Sequence, residues 1–590
     1  MQIRDHLTLS SFGCPCLRSR GLYAAVAGVL GVIPLSFLAA GAAWGQSTSG
    51  LLPATGIGGR GDDLRGSVSQ FLPNALASIA GRAWEFAASL GVEAGVTDSP
   101  GGTSRSGGFD FFTLISPSVS VTGSTSRVTV RLDYSPEIAF YANTPGQNRV
   151  SQNLNGSLNA VIVPETFFLD LRGNISEQSR FGGNQFTNGQ QNSQFLSREN
   201  AIQSTTVSAS PSLQHRFGGW GTGRLSYTIA RTLQDSANSA NQFSGLSSGN
   251  SIALGNLAAN QQGFGTTGNL TTQRERASFT TGENLGRFND EVTVEAVQYN
   301  GSGSYHGAYR NSINNGFSYA VTRAITLLAG VGYQDLRFGG PFGYRLSEPT
   351  WNVGTRLTPN ADSSLTITYG RREGDTTFAF DGAYSPTPRT RIVGRYSTGV
   401  TADIEEQQNL LQTTRVGAGG LLVDNGTGAP VTGGSAFGTQ NGLSRVKRLS
   451  FTAFLLLDRD TFAATVTTED RTTLTNSTSF VGTSVPAGTS NSSVSGSLSW
   501  QRDLNRTTSL SSAVSYGVSN NGSLLGNPAA GAQNTFSVST SLGHTFTETL
   551  TGSVRYSYTD RTGGQGNNLP TALGGSATQN LLLVGLRKSF

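Results

Sequence analysis

Two short motifs in this chain could in principle carry out recognised chemistry. Residues 56–61 (GIGGRG) match G-x-G-x-x-G, whose glycines let a backbone approach a pyrophosphate at the start of a helix. Residues 245–249 (GLSSG) match the G-x-S-x-G elbow that exposes a nucleophilic serine. The first motif follows no strand pattern and the second lies in a polar stretch, so neither has the setting that its chemistry requires. We interpret both as chance matches in a chain with 77 glycines.

The histidines and cysteines do not point to a catalytic or metal-binding group. His215 and His544 share the apolar register of their segments, and His306 lies near a loop. Cys14 and Cys16 precede an N-terminal apolar run, so the rest of the chain has no thiol for a disulfide or a nucleophile. A hydrolase that pairs a histidine with a Ser or Asp is kept as a minor alternative. We expect no enzyme, no cofactor and no metal.

Arginines recur on the polar positions of segments whose alternate positions are apolar. These candidate lumen-lining residues are Arg131, Arg172, Arg216, Arg224, Arg356, Arg395, Arg555 and Arg587. Acids share the same positions, at Glu85, Glu93, Asp133, Glu137, Asp170 and Glu295. The arginines either line a conduit or form a salt-bridge lattice with these acids, and the sequence favours neither interpretation. Because the basic residues are scattered and the net charge is only +5, no nucleic acid partner is expected.

The segments that carry these arginines alternate apolar and polar residues, which is the period of a β-strand. One example has its apolar positions at Val128, Val130, Leu132 and Tyr134. About 22 such segments (range roughly 16–24), each about 10 to 16 residues long, follow Trp84, and an even number is typical of outer-membrane barrels. The predicted fold class is therefore all-β, a single large transmembrane antiparallel β-barrel of about 22 strands.

The connections between these segments alternate in length. Short links are predicted at 123–125, 163–165, 218–221, 360–363, 458–460, 503–506 and 547–549, and long ones at 180–201, 236–269, 403–443, 476–490 and 563–576. Outer-membrane barrels place short turns in the periplasm and long loops outside. An even strand number then lets the last strand, Ala577–Phe590, close the barrel against the first, Trp84–Thr97. Trp84, Trp220 and Trp500 fall near the turn side and Trp351 near the loop side, as interfacial aromatic belts do.

Two segments are candidates to fill the barrel. Residues 46–83 have apolar residues near helical spacing, interrupted by Pro73, and form either a plug or an unstructured periplasmic tail. Asp403–Arg415 begins with an Asp and has Glu406 three residues later, the capping-box arrangement, so a short helix is predicted inside the pore or above it. A soluble β-solenoid is disfavoured because the chain shows no fixed repeat period.

The N-terminal residues have the three parts of a secretory signal. Arg4, Arg18 and Arg20 precede an apolar run from Leu22 to Ala40, and small residues follow at the cleavage positions. We predict three regions: a cleaved signal peptide at 1–45, a periplasmic segment at 46–83 and the barrel at 84–590. The expected location is the outer membrane of a Gram-negative bacterium.

Two sequence resemblances concern how the barrel is assembled and its role in the cell envelope. Leu582, Val584, Leu586 and Phe590 form an alternation ending in a terminal Phe, which resembles the barrel assembly signal of Gram-negative outer-membrane proteins, although Lys588 departs from it. Residues 115–119 (ISPSV), 132–137 (LDYSPE), 154–156 (LNG) and 167–170 (FFLD) resemble the outer-membrane barrels associated with exopolysaccharide production and the PEP-CTERM system. That resemblance implies an envelope role and no catalytic residues.

The expected function is that of a passive conduit or scaffold in the cell envelope, linked to exopolysaccharide secretion. The expected partners are outer-membrane lipid, the barrel assembly machinery and polysaccharide export components. A non-conducting surface adhesin or structural barrel is the main alternative. Conductance separates the two, because an adhesin need not open a pore.

Overall fold

The computed structural model describes residues 84–100, 108–179, 201–236, 269–301, 303–339, 343–416, 422–424, 442–475, 477–478, 484–485, 487–520, 532–563 and 576–590. The predicted signal peptide, the segment 46–83 and both glycine-containing motifs lie outside these residues, as do the long connections 180–200 and 237–268. The domain boundaries at 45 and 83 therefore stay predictions.

Twenty-two strands cross the barrel wall in the described residues. They are β1 (Trp84–Thr97), β2 (Asp110–Ser124), β3 in two pieces (Val128–Tyr134 and Glu137–Tyr141), β4 in two pieces (Arg149–Ser151 and Leu154–Val163), β5 (Phe167–Ser179), β6 (Ala201–Arg216), β7 (Gly221–Ser236), β8 (Leu270–Thr281), β9 (Phe288–Gly301), β10 (Tyr309–Ala320) and β11 (Ile325–Arg337). The others are β12 (Arg345–Asn360), β13 (Ser363–Arg372), β14 (Asp375–Thr387), β15 (Thr390–Thr401), β16 (Ser444–Leu456), β17 (Asp460–Thr473), β18 (Ser490–Asp503), β19 (Thr508–Asn520), β20 (Gln533–Thr547), β21 (Leu550–Gly563) and β22 (Ala577–Ser589).

Each strand pairs antiparallel with the next, and β22 pairs with β1. In that closing pair Val92 lies opposite Leu586 and Gly95 opposite Leu583. The seam continues past the last strand residue, because the Phe590 N–H donates to the Ala88 carbonyl at 2.9 Å. The sheet is thus a closed antiparallel barrel, and the predicted fold class is confirmed. The interruption in β3 falls at Ser135–Pro136, where proline has no N–H to donate to the ladder.

Threonine side chains build several of the tight turns. The N–H of Val128 donates to Thr125 Oγ1 at 3.0 Å, that of Ile325 to Thr322 Oγ1 at 3.0 Å, and that of Leu550 to Thr547 Oγ1 at 3.1 Å. A hydroxyl that accepts from an N–H a few residues later stabilises a reversal of the chain. We call this side of the barrel the turn end and the opposite side, where the longer connections lie, the loop end.

The apolar positions of the alternation form the outer surface. Phe86 is 70% exposed and Leu586 is 55% exposed, and valines and leucines of nearly every strand are similarly open. Aromatic side chains lie on this surface at the turn end (Trp84, Phe217, Trp220, Phe546, Phe590) and toward the loop end (Phe111, Phe140, Tyr369, Phe378). A continuous apolar band between two aromatic girdles is the lipid-facing surface of a transmembrane β-barrel. Trp351 lies in the loop-end half of β12, edge-on to Tyr369.

Inside the barrel, apolar side chains form a cluster at the loop end between β8–β11 and β15–β16. Its buried members are Leu270, Val297, Tyr299, Tyr305, Ala308, Leu336, Phe338, Val400, Ala402, Ile404 and Leu443. Because residues of these two separate groups of strands meet there, packing closes that sector of the interior. No helix within the described ranges is long and apolar enough to span a membrane.

Candidate functional site

A single α-helix of the described residues, α1 (Asp403–Thr413), follows β15 and enters the barrel. The helix predicted at this position is confirmed, although it ends two residues earlier, because Thr414–Val416 pairs with Leu422–Asp424 as a short ladder. The first turn closes when the Glu406 N–H donates to the Ala402 carbonyl at 3.0 Å. The Glu406 carboxylate bonds to Arg448 of β16.

The start of α1 is anchored by apolar packing. Ile404 is 3% exposed and belongs to the loop-end cluster, together with Ala402 and Val400 immediately before the helix. Leu443, at the start of β16, and Phe338, after β11, are members of the same cluster. Fully burying an aliphatic side chain of this size stabilises by about 1.5–3 kcal/mol, so the N-terminal end of α1 is firmly held.

The rest of α1 is held by polar side chains of β6 and β8. Ser204 Oγ donates to Gln407 Oε1 at 2.6 Å, and Thr272 Oγ1 donates to Gln408 Oε1 at 2.6 Å. Arg274 Nη2 donates to Asn409 Oδ1 at 3.2 Å. The inward positions of these strands are polar because the outward ones face lipid. The same alternation therefore supplies hydrogen-bond partners for a helix inside the barrel.

The last turn of α1 reaches β5. Arg172 Nη1 donates to the carbonyls of Leu411 and Gln412, each at 2.9 Å. These carbonyls belong to the C-terminal end of the helix, where they lack intrahelical donors and carry the negative end of the helix dipole, so a guanidinium stabilises them. Arg172 also pairs with Asp170 at 2.8 Å, which fixes the orientation of its side chain.

Two clusters of charged residues join the N-terminal half of α1 to the barrel wall. In the first, Tyr299 OH donates to Glu405 Oε1 at 2.7 Å, and Arg310 lies 3.8 Å from the same oxygen. Arg310 also bonds to Glu373 at 3.1 Å and to the Val400 carbonyl at 2.8 Å. Glu373 is 4% exposed and accepts from the Val400 N–H at 2.6 Å, so it links the β13–β14 turn to the end of β15.

In the second cluster, Arg448 is shared between α1 and β17. One guanidinium nitrogen bonds to Glu406, and Nη2 donates to Glu469 Oε2 at 3.1 Å. Arg471, which is fully buried, pairs with Glu469 at 3.1 Å. Each carboxylate thus has a basic partner, as buried charges require.

Together these contacts hold α1 along the inner face of β5–β8 and tie its N-terminal half to β16 as well. Arg448 lies on β16 and Arg172 on β5, which are eleven strands apart in either direction around a ring of 22. An eleven-residue helix is about 16 Å long, and an extended arginine at each end adds further reach. The helix therefore occupies part of the interior beside β5–β8 and narrows the passage through it.

The predicted lumen-lining arginines alternate along their strands with exposed apolar residues, as Arg555 does with Val554 and Tyr556, and Arg587 with Leu586. Three pair with acids of the barrel wall: Arg131 with Asp133 (3.2 Å), Arg172 with Asp170 (2.8 Å) and Arg395 with Asp381 (3.7 Å). Arg216 lies 3.7 Å from Glu283 in the β8–β9 turn, and Arg224, Arg356 and Arg587 contact Ser212, Thr366 and Ser89. The structure brings Arg172 to α1, and the selection of cargo by these arginines stays a prediction.

The most buried charged residues of the site were not among the sequence candidates. Arg310, Arg448 and Arg274 hold α1 from the strands, with Glu373 in the β13–β14 turn and Glu405 on the helix itself. In the sequence the three arginines look like any other polar position of an alternating segment, and their register could have been inferred from the alternation. Their pairing with α1 could not, because it joins residues that are far apart in the chain.

His215 and His544 lie at the outer surface, and His306 lies in the connection between β9 and β10. His215 packs edge-on against Phe217 at 4.6 Å, and His544 packs in the same way against Phe546 at 4.8 Å. His544 Nδ1 is 2.8 Å from Thr508 Oγ1. Both rings belong to the turn-end girdle, where an amphipathic side chain suits the interface. The described residues contain no group of three His, Cys, Asp or Glu that could hold a metal.

The predicted assembly signal lies on the lipid-facing side of β22. Leu582 and Val584 are 41% and 52% exposed, and Phe590 is 77% exposed. Lys588, the departure from the usual pattern, donates to Thr549 Oγ1 at 2.6 Å and so reaches the turn before β21. The role of these residues in barrel assembly stays a prediction.

Comparison with known proteins yields no family. No protein-family profile matches the sequence, and no curated protein matches it significantly. Among solved structures, the siderophore receptor PirA from Acinetobacter baumannii aligns over 86% of this chain and 80% of its own, with 10% identity and a TM-score of 0.45. The FrpB iron transporter from Neisseria meningitidis aligns over 86% and 83%, with 10% identity and a TM-score of 0.47. At these scores the likeness carries no argument, and the barrel assignment rests on the strand register.

Proposed function

We propose that this protein is a passive conduit of the outer membrane whose aperture is set by α1. The observation that carries the proposal is the set of hydrogen bonds that hold α1 inside the barrel between Arg448 of β16 and Arg172 of β5. A barrel that only displayed surface loops would gain nothing from a helix fixed inside it. A conduit gains a constriction that limits the size of the solute.

Solvent reaches the inner wall beside this constriction. The inward-facing Arg395, near the middle of β15, is 56% exposed, and Arg131, closer to the turn end of β3, is 46% exposed. Inner-face residues nearer the loop end are buried, for example Arg471 at 0% and Asn491 at 1%. The interior is therefore open to water from the turn end to its middle and narrow toward the loop end, as expected of a size-limiting channel.

Single-channel recording of the refolded full chain in a planar bilayer tests this proposal. We expect steady conductance from the wild type and a larger conductance after residues 403–413 are replaced by a Gly/Ser linker of equal length. Heat-modifiable migration on gels verifies that the barrel has folded in both proteins. Equal conductance would show that α1 is not the constriction, and no conductance in either protein would favour the non-conducting adhesin.

Charge selectivity distinguishes a conduit lined by arginines from a purely structural lattice. We expect the pore to prefer anions modestly, because side-chain charges along a pore select ions by sign. Replacing Arg131, Arg224 and Arg356 with Gln should move the reversal potential toward cations without disturbing α1, and the shift should shrink as salt screens the charges. An unchanged reversal potential in an open pore would mean that these arginines only form part of a structural salt-bridge lattice.

We further propose exopolysaccharide as the cargo class, acting with polysaccharide export components. Support comes from the motifs at residues 115–119, 132–137, 154–156 and 167–170 and from no other observation. Anionic polysaccharide added to the bilayer should block current in brief events, more strongly after the α1 segment is replaced. If the pore conducts but the polysaccharide does not block it, the cargo proposal is wrong and the conduit proposal still stands.

A further inference from the structure

Two arginines lie side by side on the outer surface at the loop end. Arg337 of β11 and Arg345 of β12 are directly opposite each other in the strand register, and both are exposed. Neither takes part in an ion pair with any described residue, whereas their neighbours on this rim do: Arg371 pairs with Glu348, Arg372 with Glu373 and Lys447 with Asp375.

One acid lies on the same face below the pair, so the two guanidinium groups and this carboxylate keep a formal charge of +1. Asp335 lies one outward position below Arg337, and its Oδ2 accepts from Tyr309 OH at 3.1 Å. Like charges placed directly opposite across two strands repel each other. An anion between the two guanidinium groups would remove that repulsion. Paired guanidinium groups offer planar, two-pronged donors that match the oxygens of a phosphate.

The position of this pair along the barrel axis indicates which molecule supplies that phosphate. The apolar band of such barrels is about 25 Å tall, and a strand tilted by about 40° climbs about 2.5 Å per residue. About ten residues therefore cross the band. Counted from Ile325, the first outward residue of β11 at the turn end, the far boundary of the lipid falls near Asp335 and Arg337.

The side chains below the pair confirm that it sits at this boundary. On β11 the outward residues run from Leu327 and Val331, 51% and 56% exposed, to Tyr333 and then to Asp335 and Arg337. Tyr333 OH is 2.7 Å from Ser347 Oγ on β12. The order along the strand is thus apolar, then aromatic, then charged, which is the order from hydrocarbon to head group.

We propose that Arg337 and Arg345 bind a phosphate group of an outer-leaflet glycolipid of the lipopolysaccharide class. The proposal rests on the proposed function in one respect, namely that the loop end faces the outside of the cell. It does not depend on conduction, because the site lies on the lipid side of the wall. Tyr309 and Tyr333 lie in the register beside and below the pair and can contact the sugar and upper acyl atoms.

The test uses the refolded full chain in detergent and diphosphoryl lipid A as the probe. Native mass spectrometry or fluorescence titration should give an affinity that falls at least about tenfold in the Arg337→Gln/Arg345→Gln double variant, because charge-assisted hydrogen bonds are lost. Arg231→Gln is the matched control, since Arg231 is also an outward arginine near the loop end, on β7, and should leave the affinity unchanged. Equal affinity in the double variant and the control would overturn the proposal.

Two further arms identify the source of the phosphate. Dephosphorylated lipid A should bind the wild type as weakly as diphosphoryl lipid A binds the double variant. Millimolar inorganic phosphate should not displace lipid A, and displacement would show a free-anion site instead. A preference for phosphatidylglycerol over lipid A would overturn the outer-leaflet assignment while leaving the conduit test unaffected.

Discussion

Arg448 is the side chain whose removal tests most directly how α1 is held. Its guanidinium group lies between Glu406 of the helix and Glu469 of β17. Arg448→Gln keeps a hydrogen-bond donor at this position but removes the charge. Glu469 retains Arg471 as a partner, so the change chiefly weakens the attachment of Glu406 and of the N-terminal half of α1.

The size of the effect follows from the burial of the pair. Removing one partner of a fully buried ion pair costs about 3–5 kcal/mol. The Arg448 and Glu406 side chains are 27% and 16% exposed, so water compensates part of this loss. We expect a local cost of about 2–3 kcal/mol to the attachment of α1. That corresponds to a rise of about 30- to 150-fold in the population with α1 displaced.

Long single-channel recordings measure that population as the frequency of large-conductance openings. We expect it to rise in Arg448→Gln, while the barrel stays heat-modifiable, because the strand ladders are untouched. Arg131→Gln is the control, since Arg131 is an inward arginine that pairs with Asp133. If Arg448→Gln opened no more often than wild type and control, the pairing with Glu406 would not hold the constriction.

Three further outcomes are expected. Deleting Phe590 removes the bond to the Ala88 carbonyl that extends the closing seam, so membrane insertion should fall well below that of Arg587→Gln, as measured by heat-modifiable protein in outer-membrane fractions. A peptide tag inserted near residue 426 should bind antibody on intact cells; binding only after permeabilisation would reverse the proposed orientation. Thr322→Val should lower the free energy of unfolding by about 0.5–1.5 kcal/mol in urea titrations, because the Ile325 N–H loses its acceptor.

The turns and strands could be predicted closely because their causes are local. An alternation such as Val130-Arg131-Leu132-Asp133 requires only that one face of a strand meets lipid and the other meets polar groups. Threonine at the start of a turn likewise acts on an amide only three residues away. The closing pair of β1 and β22 was also predictable, because an even number of antiparallel strands places both ends on the same side.

The sequence by itself determined the fold class and the presence of a helix after β15, because each depends on residue types and spacing over a short stretch of chain. Only the tertiary structure decided that α1 enters the barrel, that Arg448 and Arg172 hold it from opposite walls, and that Arg337 and Arg345 face each other at the lipid boundary. These arrangements depend on strand register and barrel closure. Both bring together residues that are far apart in the chain. No local sequence pattern predicts which of many similar polar residues will contact each other.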